Sequence, residues 1–214
     1  LKSLHEDNQV KFHFEQSVKE FRGGNSVEEA VLSDGASIKT DLVIIGIGVK
    51  PAVEYLTGTN LAEDGAVPVN ENFQTKNNSV YAAGDIAAYP DPATGKLNRI
   101  EHWVVAERQG GYAAKAMLGK SAAFNEAPFF WTRQYGNSLK YIGHVGEFDE
   151  VAYRGNVDEG NFLAGYYYQG NLRAAAAMGM GDELFIVEKI IEKGKELGIE
   201  QFQDKKFELN ALLD

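Results

Sequence analysis

The sequence predicts an α/β unit followed by an α+β unit, and three observations predict that order. Residues 42–45 read Leu-Val-Ile-Ile, an unbroken branched run of the kind that forms a parallel strand buried on both faces. Residues 101–118 place apolar side chains at helical spacing. Between residues 129 and 178 short strand candidates follow one another closely, and a helix opens at Asp182.

Taken in order, residues 10–14 set Val10, Phe12 and Phe14 against Lys11 and His13, a period-2 alternation that predicts a strand. A second alternation covers 18–21 and breaks at Gly23 and Gly24. A third strand is predicted over 27–32, where Ser33-Asp34-Gly35 supplies a tight hairpin turn toward Ile38. The branched run at 42–45 ends at Gly46 and Gly48, which turn the chain, and Pro51 permits a helical turn to Leu56. Residues 57–79 are loop-rich, with Val67 and Val69 in a short strand. Val80-Tyr81-Ala82-Ala83 predicts a brief strand stopped by Gly84-Asp85, and a loop bearing Pro, Asp and Gly spans 89–95. The helix over 101–118 carries Val104, Val105, Ala113, Ala116, Met117 and Leu118 as apolar positions. Gly110-Gly111 inside it costs ~1 kcal/mol per glycine relative to alanine, which suggests close packing against a neighbour or a ligand.

Strand candidates at 129–131, 139–142, 151–153, 162–168 and 172–178 are separated by Gly136-Asn137, Gly155-Asn156 and Gln169-Gly170-Asn171. They predict an antiparallel meander in which Tyr166-Tyr167-Tyr168 turns one ring inward and two outward. Asp182 and Glu183 begin a helix that runs to about Leu197 and ends at Gly198. Residues 198–214 read as a polar tail.

Composition narrows the function. The 214 residues are 44% hydrophobic and 24% charged, the mix of an ordinary globular protein. Asp and Glu number 31 against 21 Lys and Arg, a formal charge of -10 with no long basic run. Nucleic-acid binding needs a clustered positive face, so that class is disfavoured. The longest apolar run, at 42–49, falls far short of the ~20 residues that span a bilayer, so no transmembrane helix is expected. No cysteine is present, which removes disulfides, thiolate metal sites and C-x-x-C redox pairs within this chain. Histidines at 5, 13, 102 and 144 show no metal-ligand spacing.

The most specific signal is Thr75 followed by Val80-Tyr81-Ala82-Ala83-Gly84-Asp85-Ile86. A strand ending in glycine lets backbone approach closely, and an acid one residue later can accept hydrogen bonds from ligand hydroxyls. A carboxylate there favours a polyol over a phosphate. Read from the residues alone, Asp85 either contacts such a ligand or caps the next turn.

That string resembles the second FAD-binding signature of flavoproteins with two dinucleotide-binding domains, where the terminal acid holds the ribityl chain. Residues 41–51, with Gly46, Gly48 and Pro51, look like the segment that returns the chain from the NAD domain to the FAD domain. Ile45 stands where the family usually has threonine. Glu101-His102-Trp103, with Ala106, Gln109-Gly110, Ala113-Ala114 and Met117, is similar to the flavin-facing helix of apoptosis-inducing factors and bacterial ferredoxin reductases. Phe130-Trp131-Thr132, Tyr135 and residues 139–143 resemble the aromatic opening of their C-terminal domain. Residues 136–141 look most like the apoptosis-inducing factor-like branch that carries a Rieske domain. The wider group is the pyridine nucleotide-disulfide oxidoreductase superfamily.

The resemblance implies a remnant of an α/β FAD/NAD-linked reductase followed by an α+β C-terminal interface domain. It covers residues 1 to about 195 but only the last part of the family's architecture, because no G-x-G-x-x-G turn occurs. A C-terminal fragment is therefore expected. Residues 1–49 would be the last hairpins of the NAD-binding domain and 50–122 the C-terminal part of the FAD-binding domain. Residues 123–197 would form the interface domain and 198–214 the tail. FAD is the implied cofactor and NAD(P)H the implied electron donor. An iron–sulfur carrier or an attached Rieske domain is the implied acceptor, and the fragment alone is expected to be inactive. The positions carried over as cofactor-binding are Gly84, Asp85, Glu101, His102, Trp103 and Trp131, with no metal site. His102 and Trp103 either line the flavin or pack at a helix start, and Trp131 beside Phe129 and Phe130 either lines it or belongs to the core. The alternative function is an interaction or dimerisation module, with a homo-oligomer through the C-terminal domain. The implied location is intracellular, cytoplasmic or mitochondrial.

Overall fold

The computed structural model describes residues 1–92, 94–120 and 123–214. Ala93 of the expected 89–95 loop and the expected boundary at residue 122 fall outside the described residues. The chain divides into two compact units, Leu1–Val49 and Lys50–Asp214.

In the first unit, α1 (Lys2–Asp7) precedes a three-stranded antiparallel sheet of β1 (Val18–Arg22), β2 (Glu29–Leu32) and β3 (Ser37–Lys39). The hairpin expected at Ser33-Asp34-Gly35 forms. Gly35 N–H donates to Leu32 O at 3.0 Å, and Asp34 Oδ1 accepts Ala36 N–H at 2.9 Å. Ala30, Val31 and Leu32 are the buried apolar residues of this unit. Residues 10–14 correct an expectation, since they make no strand. Their alternation still puts Phe12 and Phe14 side by side, stacked at 5.2 Å, but no neighbouring strand supplies a ladder.

The second correction is larger. Residues 42–45 form no strand, and Leu42, Ile44, Ile45, Ile47 and Val49 are 67–91% exposed. A strand buried on both faces needs parallel neighbours, and none of the described strands lies beside this run.

The second unit contains two cores. One gathers Val67, Phe73, Ala87, Tyr89, Val105, Ala113 and Phe124. Here β4 (Val67–Pro68) pairs in parallel with β5 (Ala87–Pro90), which pairs antiparallel with β6 (Leu97–Asn98). The expected strand at 80–83 is absent, reduced to one bridge between Gln74 and Tyr81. The ladder sits seven residues later, at Ala87–Pro90, because Gly84 and Asp85 turn the chain before it pairs. Strand β5 also claims Tyr89 and Pro90 from the expected loop. Helix α2 (Trp103–Met117) then lays Val105, Gln109 and Ala113 inward. Gly110 and Gly111 face open space, so the close packing expected of them is not made within the chain.

The other core is built on β7 (Phe129–Gln134), β8 (Asn137–Gly143), β9 (Glu150–Asn156), β10 (Asn161–Tyr168) and β11 (Asn171–Met178). Their order is β7-β8-β11-β10-β9, so only the last three form a true meander, and the chain crosses after β8 to the far edge. Tyr135-Gly136 and Gln169-Gly170 sit at positive φ at both turn positions, the two-residue hairpin geometry that matches strand twist. Tyr167 is fully buried while Tyr166 and Tyr168 are half-buried, as expected. Helix α3 (Gly181–Glu192) packs on β11 and fully buries Leu184, Val187 and Ile190, ~1.5–3 kcal/mol each. It stops five residues before Leu197, because Gly194 takes a left-handed φ of +60° and Lys195 N–H returns to Ile190 O. Residues 198–214 carry α4 (Ile199–Gln203) and bury Phe202 and Leu209 in this core. No helix among the described residues is long and apolar enough to cross a membrane.

Candidate functional site

The site is built around the turn at Gly84 and the first turn of α2. Gly84 has φ +83°, and a Cβ there would stand 3.4 Å from the Cβ of Ala106 on α2. Its N–H donates to Oε1 of the fully buried Gln109 at 2.8 Å, while its carbonyl accepts Ala87 N–H at 2.9 Å. The turn is therefore pinned to the helix from two sides. Asp85, next in line, is exposed, and among the described residues its carboxylate accepts no hydrogen bond and makes no ion pair. An aspartate capping its own turn would accept a backbone N–H. Its carbonyl does accept Arg99 Nη1 at 3.1 Å, and Arg99 also pairs with Glu101. Arg99 thus ties Asp85 to the residues that lead into α2.

His102 is the N-cap of α2, in extended backbone, and gives no side-chain cap. The first turn holds no acidic residue, so the free N–H groups of this helix end carry uncompensated partial positive charge. The His102 ring packs edge-on against Phe130 at 4.6 Å, with Trp131 at 5.9 Å and Trp103 at 6.1 Å. Trp103 and Trp131 meet edge-to-face at 5.8 Å. Both indoles face solvent, 63% and 47% exposed, so neither belongs to a core. His102 Nδ1 is buried without a hydrogen-bond partner, as is Nε2 of Gln109.

All six positions singled out in the sequence thus lie on the Gly84 turn, on the start of α2, or on β7 where it meets α2. A flavin's ribityl chain and ring fit this donor set. The unpaired carboxylate matches hydroxyls, the uncapped helix end matches an electron-rich ring edge, and the exposed indoles offer an aromatic wall. Sequence reasoning included Gln109 in the helix motif without giving it a role of its own, and did not single out Arg99. A lone amide in the inward row 105, 109, 113 of α2 was the available signal for Gln109. Among the described residues no group of His, Asp and Glu could hold a metal ion.

A separate cleft of about 900 Å³ opens between the two cores of this unit, lined by Tyr89, Asn98, His144, Arg173 and Lys195 among others. None of the six site residues lines it. Burial, and then Asp91, pushes the Tyr89 phenol up to about 12, so it stays protonated there.

Comparison with known proteins gives the family. Residues 1–110 match the family described as pyridine nucleotide-disulphide oxidoreductase, and residues 129–213 match the reductase C-terminal domain. Apoptosis-inducing factor 3 of Homo sapiens is 34% identical over 201 residues, which are 91% of this chain and 33% of that protein. The ferredoxin–NAD(+) reductase component of the anthranilate 1,2-dioxygenase system of Burkholderia cepacia is 30% identical over 214 residues, 98% of this chain and 52% of that protein. The crystal structure of the covalent putidaredoxin reductase–putidaredoxin complex superposes with a TM-score of 0.92 at 26% identity, covering 99% of this chain and 52% of that one. The chain spans a third to a half of the length of these relatives.

Proposed function

Because the chain belongs to the pyridine nucleotide-disulphide oxidoreductase family, we propose that it forms the flavin-facing and C-terminal part of a FAD-dependent NAD(P)H oxidoreductase passing electrons to an iron–sulfur acceptor. The acceptor is a ferredoxin-like carrier or an attached Rieske centre, a reading supported by the ferredoxin reductases among its relatives. The observation that carries the proposal is the convergence at the start of α2 of an unpartnered acid, an uncapped helix end and two exposed indoles.

In this reading Asp85 accepts a hydrogen bond from a ribityl hydroxyl, and Gly84 lets the backbone come close enough for that contact. The N–H groups at the start of α2 would favour negative charge on a flavin ring bound there. Trp103 and Trp131, already in contact with each other, would line one side of the ring and exclude water there, with His102 packed against them. Glu101, paired with Arg99, keeps that guanidinium beside the Asp85 carbonyl. Bound FAD would supply the exchange between a two-electron hydride donor and one-electron acceptors. The residues address ribityl and ring, while the sequence contains no glycine-rich phosphate turn, so affinity for the dinucleotide is expected to be weak.

The test follows tryptophan emission, since these are the two tryptophans of the chain. Titration with FAD and with riboflavin should quench both, weakly and with similar affinity, without NADH-dependent dye reduction. Unchanged emission at saturating flavin would count against the site. Tight FAD binding with turnover would show that a phosphate turn is dispensable.

A second reading is favoured by the closed core of the C-terminal strands and helices. Those residues can serve as a docking or dimerisation module without catalysis of their own. A preparation that never takes up flavin but binds a carrier, or itself, through that unit would favour it.

A further inference from the structure

Arg108 sits on α2 five positions after Trp103 and reaches the two residues that lead toward β7. Its Nε pairs with Glu126 Oε2 at 3.1 Å, and its Nη1 donates to the carbonyl of Ala127 at 3.3 Å. Ala127 is buried, and its N–H donates to Oε1 of Glu192 on α3 at 3.2 Å. Oε2 of Glu192 accepts Lys189 Nζ at 2.6 Å. Both backbone polar groups of Ala127 are thus held by side chains, one from α2 and one from α3. Three residues further on, Phe130 meets the His102 ring at 4.6 Å.

These contacts fix a direction and a register. From His102 to Arg108 the helix rises ~9 Å, and from Ala127 to Phe130 an extended chain covers ~10 Å. The two segments therefore match in length when they run in opposite directions, joined at one end by His102 and Phe130 and at the other by Arg108 and Ala127. A slip of one residue would carry Trp131 ~3.3 Å along and turn its ring to the other face of the strand, away from Trp103. Ring packing at His102 is non-directional and tolerates small displacements. A guanidinium that grips a carbonyl and a carboxylate together does not. The Arg108 and Glu126 side chains are 31% and 32% exposed, and a pair so accessible to water adds little stability, so its consequence is geometric.

We propose that Arg108 is a positioning residue of the flavin-facing site: by clamping residues 126 and 127 to α2 it sets the register of β7 and brings Trp131 edge-to-face with Trp103. The Glu192 bond extends the same register to α3. The consequence for flavin rests on the function proposed above, whereas the indole pair itself is observable without flavin.

Circular dichroism of the 214-residue chain tests it, because its two indoles, 5.8 Å apart at 74°, couple and give a paired positive and negative band in the far ultraviolet. The parent should show this couplet and Trp103→Phe should lose it. Arg108→Met should lose about half of its amplitude or more while Tm stays within about 3 °C of the parent. Arg108→Lys should recover little, since an ammonium lacks the planar fork, and Glu126→Gln should keep most of the couplet because the Ala127 carbonyl bond survives. A couplet of parental size in Arg108→Met, or no couplet in the parent, overturns the proposal. So does a couplet that falls only in proportion to Tm across the three variants, the mark of a purely structural pair. Titration with riboflavin separates the two readings. Affinity about fivefold weaker in Arg108→Met is expected, the loss of one aromatic contact, and equal affinity overturns the positioning role. A parent whose emission riboflavin never quenches removes the flavin site and leaves the indole register standing on the couplet.

Discussion

Arg154 holds the end of the chain onto the C-terminal sheet, and its replacement by methionine should loosen that end selectively. The residue lies in β9 and is 6% exposed. Its Nε donates to Glu183 Oε2 at 2.6 Å, joining β9 to the first turn of α3. The two terminal nitrogens reach the other way, to the carbonyls of Phe202, Asp204, Lys205 and Phe207. Those carbonyls end α4 and the turn after it, where no helix partner is available. One guanidinium therefore satisfies a row of acceptors from which water is largely excluded, a task that its planar fork performs and an ammonium does not. Removing one partner of a buried charge pair costs ~3–5 kcal/mol. The lower end applies here, because Glu183 is 35% exposed and can rehydrate. A loss of about 3 kcal/mol in a unit of this size lowers Tm by roughly 10 °C. Calorimetry of Arg154→Met should show that shift, and hydrogen exchange should show protection falling first over residues 199–213. Arg154→Lys should recover little of it. A Tm within about 2 °C of the parent, with the terminal residues still protected, would mean that burial of Phe202 and Leu209 alone secures the end of the chain.

Three further outcomes are expected. Gln109→Leu leaves the buried Gly84 N–H without an acceptor, a penalty of ~1–3 kcal/mol, and should lower both Tm and flavin quenching. Full retention of flavin affinity in that variant would show that Gln109 does not position the turn. Asp85→Ala should weaken flavin binding at least tenfold, since a hydrogen bond to a charged group contributes ~1.5–3 kcal/mol, and an unchanged titration would remove Asp85 from the site. Glu188 is buried on α3, and burial followed by the neighbouring Glu192 raises its carboxyl above the usual range. Its protonated form is favoured in the folded state, so that contribution to stability is present in acid and lost as pH rises through the raised value. Glu188→Gln should therefore raise Tm at neutral pH, with the gain shrinking toward acid. An equal gain at every pH would argue against titration of Glu188 as the cause.

The parts legible in the sequence are those whose energetics are local. Gly136 and Gly170 take positive φ at the turns the sequence marked, though the first turn is Tyr135-Gly136 rather than Gly136-Asn137, and Gly155-Asn156, also read as a turn, lies inside β9. The apolar spacing of α2 and the acidic opening of α3 are equally local, so both helices were predicted close to their observed starts. The string ending at Gly84-Asp85 was readable because close approach and an unpaired acid each demand a particular residue type at one position. It misled only about where the strand would lie, since pairing moved to Ala87–Pro90.

What the sequence by itself determined, then, was the order of turns and helices, the Gly84-Asp85 turn and the aromatic residues that meet at α2. Tertiary structure alone decided which strands pair. Residues 10–14 and 42–45 carry strand patterns as good as those of β10, yet neither finds a neighbour and neither forms a ladder. The crossing that sets β8 beside β11 joins residues more than thirty positions apart, as in Leu139 opposite Met178. The Arg154 clasp and the Gln109–Gly84 bond likewise connect residues that no periodicity relates. A strand is stabilised by hydrogen bonds to a partner and by cover on its faces, and both come from elsewhere in the chain. Its fate therefore depends on what arrives beside it, whereas a turn or a helix start depends mainly on its own residues.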